Sequence, residues 1–178
     1  MTLRAGRGRG RPSRTLALGI ALATGATGCV YGFQGGNFPS HIRTLGIDPV
    51  ENDTPRLEVT GELHDLLTRD LPRALGVRPA GTDVADAVVR VRITRYEVNA
   101  PNYRPGARGQ PAEVLQRAVM INAAVQIVDQ VNNQIYWEST GVRGEGQFLE
   151  ASETEEVGRA EAVELLVQRI VDGAQSIW

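Results

Sequence analysis

The sequence predicts an α+β domain of two layers, a two-layer sandwich in which two helices pack on one face of a four-stranded sheet. Two stretches, residues 59–74 and 157–177, repeat apolar side chains at helical spacing. A third stretch, residues 85–98, alternates apolar and polar side chains, as a strand with one buried face does. One-sided helices and a half-buried sheet bury each other most simply as two layers, and the predicted order is β-α-β-β-β-α.

The first predicted strand covers residues 41–47 and ends at Asp48-Pro49. A helix is then predicted to begin at Thr54-Pro55, with the hydroxyl as its cap and the proline in its first turn. Gly76 is the expected end of this helix. The predicted apolar stripe consists of Val59, Leu63, Leu66, Leu67, Leu71 and Ala74.

The next strand places Val89, Val91 and Ile93 on one face and Arg90, Arg92 and Thr94 on the other. Residues 99–116 contain three prolines and two glycines and are predicted to form a long polar insert. A strand at 119–128 follows, and Asn132-Asn133 is predicted to make a tight hairpin turn into a last strand at 134–140.

The closing helix is predicted to open at Ser152-Glu153-Thr154-Glu155, a sequence that resembles a capping box. The acidic cluster Glu150, Glu153, Glu155 and Glu156 is better explained by favourable negative charge at a helix N-terminus than by a cation site. The helix carries a second apolar stripe of Val157, Ala160, Val163, Val167, Ile170, Ala174 and Ile177.

Composition limits the function. The chain has 178 residues, which suits one globular domain and a short extra segment. All nineteen basic residues are arginine, and five of them precede residue 15, so the remainder has a formal charge of −7 from 14 arginines and 21 acids. An acidic body argues against non-specific nucleic-acid binding, which needs clustered positive charge.

The N-terminus is typical of an export signal with a lipid anchor. Residues 1–14 are basic, residues 15–26 are apolar but too few to span a bilayer, and Ala26-Thr27-Gly28-Cys29 is similar to a lipobox. We therefore expect a signal peptide at 1–28, an acylated glycine-rich and aromatic tether at 29–40, and the domain at 41–178. The alternative is that Cys29 is a small buried thiol.

No catalytic arrangement is found, and the sequence predicts a protein that is not an enzyme and holds no metal or cofactor. One cysteine excludes an internal disulfide and a cysteine-rich zinc site. The two histidines, His41 and His64, lie outside any nucleophile-elbow context and are interpreted as surface or boundary residues. The phosphate-loop patterns GxxxxGK[ST] and GxGxxG are absent.

Four arginines are possible phosphate contacts, because planar guanidinium groups suit bidentate binding of phosphate. Arg90 and Arg92 lie on the wet face of a strand, and Arg104 and Arg108 lie in the long insert. The alternative is a solvated sheet face and loop.

Three aromatic residues of the tether, Tyr31, Phe33 and Phe38, also allow two interpretations. They either pack on their own domain or insert into a partner or a membrane interface.

The chain resembles the LPS-assembly lipoprotein (LptE-like) family over essentially all of residues 29–178. The resemblance is a series of weak motifs in the family's order rather than one diagnostic motif. The motifs are Cys29-x-Tyr31-x-Phe33-x-Gly35, Pro39-Ser40-His41-Ile42, Glu51-Asn52-x-Thr54, Ala85-Asp86-Ala87-Val88, Gly109-Gln110-x-Ala112-Glu113 and Ile121-Asn122-Ala123-x-Val125.

This resemblance implies an outer-membrane lipoprotein on the periplasmic face. It implies a partner, a large LptD-type β-barrel in whose lumen the protein sits as a plug, and a role in delivering lipopolysaccharide to the cell surface. Direct lipopolysaccharide binding would favour Arg108, which lies next to Gly109-Gln110. Because the body carries a charge of −7, such binding has to be local rather than driven by the overall field. The rival interpretation is a periplasmic-facing lipoprotein of a secretion or envelope complex (TolB-N-like or secretion-channel type) that binds protein or peptidoglycan.

Overall fold

The computed structural model describes residues 38–104 and 113–176 of the chain. The predicted α+β class with two helices is confirmed. The elements in chain order are β1 Thr44–Ile47, β2 Glu51–Asn52, α1 Glu58–Leu75, β3 Arg78–Pro79, β4 Ala87–Arg104, β5 Glu113–Asp129, β6 Gln134–Leu149 and α2 Glu155–Gln175.

The sheet is mixed and has six strands, so the prediction of four was wrong. Its order is β3-β1-β4-β5-β6, and β2 pairs with β4 beside β1. β1 runs parallel to β3 and β4, whereas β4, β5 and β6 form an antiparallel meander. The two unexpected strands, β2 and β3, are two residues long, which is too short to produce any alternation in the sequence.

The core lies between the helices and one face of the sheet. Val89, Val91 and Ile93 of β4 join one apolar cluster with residues of β5 and with residues of both helices. The sheet therefore buries the face that the alternation predicted and leaves the face of Arg90 and Arg92 exposed.

Helix α1 begins at Glu58, one turn later than the predicted start at Thr54-Pro55. The hydroxyl and the N–H of Thr54 both donate to Asn52 Oδ1, at 2.7 and 2.8 Å, so Thr54 belongs to a turn organised by Asn52. The predicted end is confirmed, because Gly76 adopts φ 72°, a left-handed conformation that favours glycine. Near that end Leu75 is buried and Ala74 is exposed, the reverse of the predicted stripe.

The capping box predicted for α2 was wrong. The helix begins at Glu155 and its N-cap residue, Thr154, makes no side-chain cap. The acids of this segment have other partners: Glu153 accepts the Leu149 N–H at 2.7 Å, and Glu155 accepts the Tyr96 hydroxyl at 2.8 Å.

Two positions of the predicted α2 stripe differ from the structure. Val157 and Ala160 are exposed, and Ile177 lies outside the described residues. The buried residues of the helix are Gly158, Ala162, Val163, Leu166, Val167, Ile170, Val171 and Ala174.

Most of the predicted insert at 99–116 is strand. β4 continues to Arg104 and β5 starts at Glu113, and Asn102 Nδ2 donates to Gln116 Oε1 at 2.6 Å across the two strands. The ladder shifts register on both sides of Asn102. This irregularity accommodates Pro101, which has no N–H to donate. Only residues 105–112 of the insert lie outside the described part of the chain.

Helix α2 contacts β6 backbone to backbone at two glycines. A Cβ atom at Gly144 would overlap the Ala162 carbonyl oxygen, and one at Gly146 would overlap the Gly158 carbonyl oxygen. Both glycines are therefore required by the close approach of the helix.

The same helix covers the outer edge of β6 with side chains. Glu161 accepts the Gln147 N–H at 2.8 Å, and Glu153 accepts the Leu149 N–H on the same edge. Arg169 donates to the Arg143 carbonyl oxygen. Two of these three backbone groups of the edge strand are thus satisfied by α2, and the third by Glu153, just before the helix.

Candidate functional site

The candidate site is the outer sheet face, defined as the face of β4, β5 and β6 that is turned away from the helices. Strand pairing places Arg90, Gln126 and Glu138 in one row across this face, and Arg92 opposite Ala124 in the next. A shallow depression here is bordered on its far side by Asp48. The two strand arginines of the sequence prediction are therefore brought together.

Each of these two arginines has an acidic partner. Arg90 Nε lies 3.1 Å from Asp48 Oδ2, and an Arg92 Nη atom lies 2.6 Å from Glu51 Oε2. The pairing follows from the topology: the segment after β1 and strand β2 run beside β4, and they present their acids to its outer row. Both arginine side chains stay more than half exposed, at 58% and 55%, so the pairs are hydrated surface pairs.

Arg104 is not part of this cluster. It ends β4, twelve residues beyond Arg92, which at about 3.3 Å per residue is on the order of 35–40 Å away. Arg108 lies outside the described residues. The three predicted phosphate contacts that the structure describes thus do not converge on one point.

Of the three aromatic residues predicted to lie in the tether, the structure describes one. Phe38 packs edge-to-face on Tyr136 with 4.8 Å between ring centroids, so it packs on its own domain. Tyr31 and Phe33 lie outside the described residues, as does Cys29.

A second polar cluster, which the sequence analysis missed, joins α1, α2 and β4. Arg159 on α2 donates to both carboxylate oxygens of Glu62 on α1 at 2.8–3.0 Å. Tyr96 donates to Glu155, and the Arg56 guanidinium lies 5.3 Å from the Tyr96 ring centroid. The alternation of β4 does not mark this cluster, because the bulge at Thr94 turns Tyr96 toward the helices.

These contacts shift two pKa values. Burial, and then the hydrogen bond to Glu155, raise the pKa of the Tyr96 phenol. The hydrogen bonds to Glu62 raise the pKa of Arg159 further above its usual range. Both shifts keep the phenol neutral and the guanidinium charged at neutral pH. Neither group is therefore prepared for proton transfer.

The one deeply buried acid of the described residues, Asp129, holds the β5–β6 hairpin to the segment before β1. Its Oδ2 lies 2.7 Å from His41 Nε2, and its Oδ1 accepts the N–H groups of Val131 and Asn132 at 2.9 and 3.0 Å. Burial alone would raise its pKa, but the hydrogen bonds from His41 and Asn132 outweigh it and hold the pKa at about 2. His41 is thus a structural partner of Asp129.

Residues 38–104 and 113–176 contain no group of three metal-ligating side chains. No helix in those ranges has the length and apolarity needed to cross a membrane.

The family model for the lipopolysaccharide-assembly protein LptE matches residues 42–173. None of the curated proteins matches the chain in sequence. Among solved structures, protein XCC0632 from Xanthomonas campestris is 12% identical with a TM-score of 0.50, covering 78% of this chain and 85% of that one. At this identity the likeness concerns the fold alone.

Two further structures are weaker matches and support no conclusion. The PelC dodecamer from Paraburkholderia phytofirmans is 14% identical with a TM-score of 0.46, covering 79% and 95% of the two chains. The rare lipoprotein B from Shewanella oneidensis is 12% identical with a TM-score of 0.38, covering 72% and 94%.

The fold is an α+β body of two helices and a mixed sheet, and the LptE family model matches most of its length. Together they define a protein of the lipopolysaccharide-assembly class. The chain belongs to the LptE family.

Proposed function

We propose that this chain is an outer-membrane lipoprotein, acylated at Cys29, that plugs and supports an LptD-type β-barrel on its periplasmic side. In this role it aids the delivery of lipopolysaccharide to the cell surface and catalyses no reaction. The observation that carries the proposal is the match of the LptE family model to residues 42–173.

The chemistry of the outer sheet face supports a place inside a barrel. The lumen of an outer-membrane barrel is polar and wet. The outer sheet face suits such surroundings, because its arginines are hydrated and paired with acids, including Arg143 with Glu145 at 2.9 Å. The large apolar side chains that are exposed come from separate loops and element ends, such as Leu57, Val84 and Val131.

Direct lipopolysaccharide binding is the finer part of the proposal. Guanidinium groups bind phosphate well, but Arg90 and Arg92 are already paired, so a lipid phosphate has to displace Asp48 or Glu51. Arg104, at the end of β4, and Arg108 are the other contacts we propose. Tyr31 and Phe33 remain the proposed barrel or membrane contacts of the tether.

The partnership with an LptD-type barrel is tested by affinity purification of the full-length lipoprotein from its own membranes, followed by mass spectrometry. We expect one large LptD-like barrel at comparable abundance. Recovery of secretion-channel or peptidoglycan-linked proteins without such a barrel would overturn the proposal in favour of the rival interpretation. A Cys29→Ser variant should lose its membrane attachment.

Lipopolysaccharide binding is tested separately with charge-reversed variants. We expect R92E and R108E to weaken binding of purified lipopolysaccharide about tenfold without a change in the melting temperature, since each removes one charge-assisted phosphate contact. The matched control is R143E on the same face. Equal weakening by all three variants would show only a general charge effect.

A further inference from the structure

The acidic charge of this protein is concentrated in its helical layer. The two helices carry nine carboxylates and four arginines, a formal charge of −5. Strands β4, β5 and β6 carry six arginines and five carboxylates, a formal charge of +1. Of the body's formal charge of −7, the helices thus carry the largest share, and the loops and short strands carry a further −3.

A groove runs between α1 and α2 within this acidic layer. Its floor is apolar and its rim is largely acidic. Two adjoining depressions make up its length, and they share Leu66, Arg69 and Glu164. Along α2 the groove extends from Ala160 to Val171, which at 1.5 Å per residue is about 16 Å, the length of three helical turns.

Two rim carboxylates face each other across this groove without a hydrogen-bonded or ion-paired partner among residues 38–104 and 113–176. They are Asp65 on α1 and Glu164 on α2, and both are exposed. The neighbouring rim acids are already paired: Glu62 binds Arg159, and Asp70 binds Arg69 at 2.9 Å. Arg69 on the same rim attracts Glu164 without forming an ion pair with it, so a cationic ligand competes with Arg69 for Glu164 and meets Asp65 unpaired.

We propose that the groove between the helices is a docking site for a cationic amphipathic helix of a partner protein. An apolar stripe of that helix would rest on the accessible apolar side chains of the groove, Leu66, Ala74 and Ala160. Arginine or lysine side chains along its edges would pair with Asp65 and Glu164. This inference does not depend on the barrel partnership proposed above.

Charge complementarity argues against other occupants. A second copy of this chain would bring a helical layer of formal charge −5 against an equal one, and like charges across an interface are repelled. An anionic lipid surface is repelled for the same reason. A cationic segment gains from both the rim and the overall field.

The test uses the full chain in a non-ionic detergent and a fluorescent 15-residue peptide that repeats leucine on one helical face and arginine on the other. Fluorescence anisotropy gives the affinity at low salt. We expect the D65N/E164Q variant to bind the peptide at least fivefold more weakly. The control variant D53N/D83N removes the same charge from two exposed loop positions and should bind within twofold of the natural chain.

The apolar floor is tested with Leu66→Ser, which should also weaken binding, with folding checked by the melting temperature. The inference is overturned if the two double variants weaken binding equally, if a peptide with glutamate in place of arginine binds as well, or if nothing binds. One further result, a dimer that D65N/E164Q dissolves, would assign a second copy of the chain as the occupant and overturn it too.

Discussion

Arg159 and Glu62 tie the two helices together across 97 positions of the sequence. The arginine side chain is only 12% exposed and bonds both oxygens of the carboxylate. Because bidentate geometry fixes direction as well as distance, this pair sets the position of α2 relative to α1.

Glu62→Ala is predicted to destabilise the fold by about 1–3 kcal/mol, because it leaves a largely buried guanidinium without its main acceptor. Glu58 is the remaining acid near Arg159, with the two charged groups 3.9 Å apart. Urea unfolding followed by circular dichroism measures the loss. The control is Glu97→Ala, which breaks the exposed pair with Arg95 and should change stability by less than about 0.5 kcal/mol. Equal losses would contradict the prediction.

The free energy of unfolding should decrease at low pH because the Asp129 carboxylate becomes protonated. Its folded pKa, about 2, lies below the ordinary value of 3.8. Its carboxylate therefore contributes fully above pH about 4, and the contribution is lost as the pH falls toward 2. A shift of this size corresponds to about 2 kcal/mol.

Asp129→Asn should remove this dependence of stability on pH. The natural chain should therefore lose its advantage in unfolding free energy over the variant as the pH falls from 4 to 2. Urea titrations at fixed pH measure the difference. Asp83→Asn, in the exposed loop before β4, serves as the control and should follow the natural chain. A constant gap for Asp129→Asn would show that the His41 contact does not act through charge.

Gly146→Ala should destabilise the protein by about 1–3 kcal/mol, because the added methyl group overlaps the backbone of α2 and the helix has to move. Gly141→Ala in the same strand is the matched control, since a Cβ there meets no atom within 4 Å. Thermal unfolding should separate the two variants clearly. If both melt alike, the helix is not held as closely as described.

Asn133 has a left-handed backbone with φ 51° in the β5–β6 turn. Asn133→Gly should leave stability within about 0.5 kcal/mol, whereas Asn133→Val should cost about 1–2 kcal/mol, because a β-branched side chain tolerates this conformation poorly. Chemical unfolding of the two variants gives the comparison. Equal stability would mean that the turn relaxes to another type.

The periodic parts of the fold could be predicted from the sequence. Leu63, Leu67 and Leu71 marked the buried stripe of α1, and Val89, Val91 and Ile93 marked the buried face of β4, because burial of one face repeats along an element. The Asn132-Asn133 turn was predicted for the same kind of reason, since its chemistry is local.

The rest depends on contacts between segments far apart in the chain. β4 and β5 extend past Pro101 because the two strands pair with each other, and no local pattern reports a pairing partner. Likewise, Arg90 and Arg92 were predicted to be exposed, but their pairing with Asp48 and Glu51 depends on which strand lies beside β4. The position of a neighbouring strand is a property of the topology, which sequence periodicity does not contain.

The covering of the β6 edge has a consequence for solubility. An uncovered edge strand is a template on which another chain can add, and repeated addition leads to aggregation and fibrils. Here Glu161 and Arg169 of α2, together with Glu153 just before the helix, occupy the backbone groups that a new strand would need. The helix therefore prevents another strand from pairing with the outer edge of β6. A state in which α2 is frayed would expose this edge and would be the aggregation-prone form of the protein.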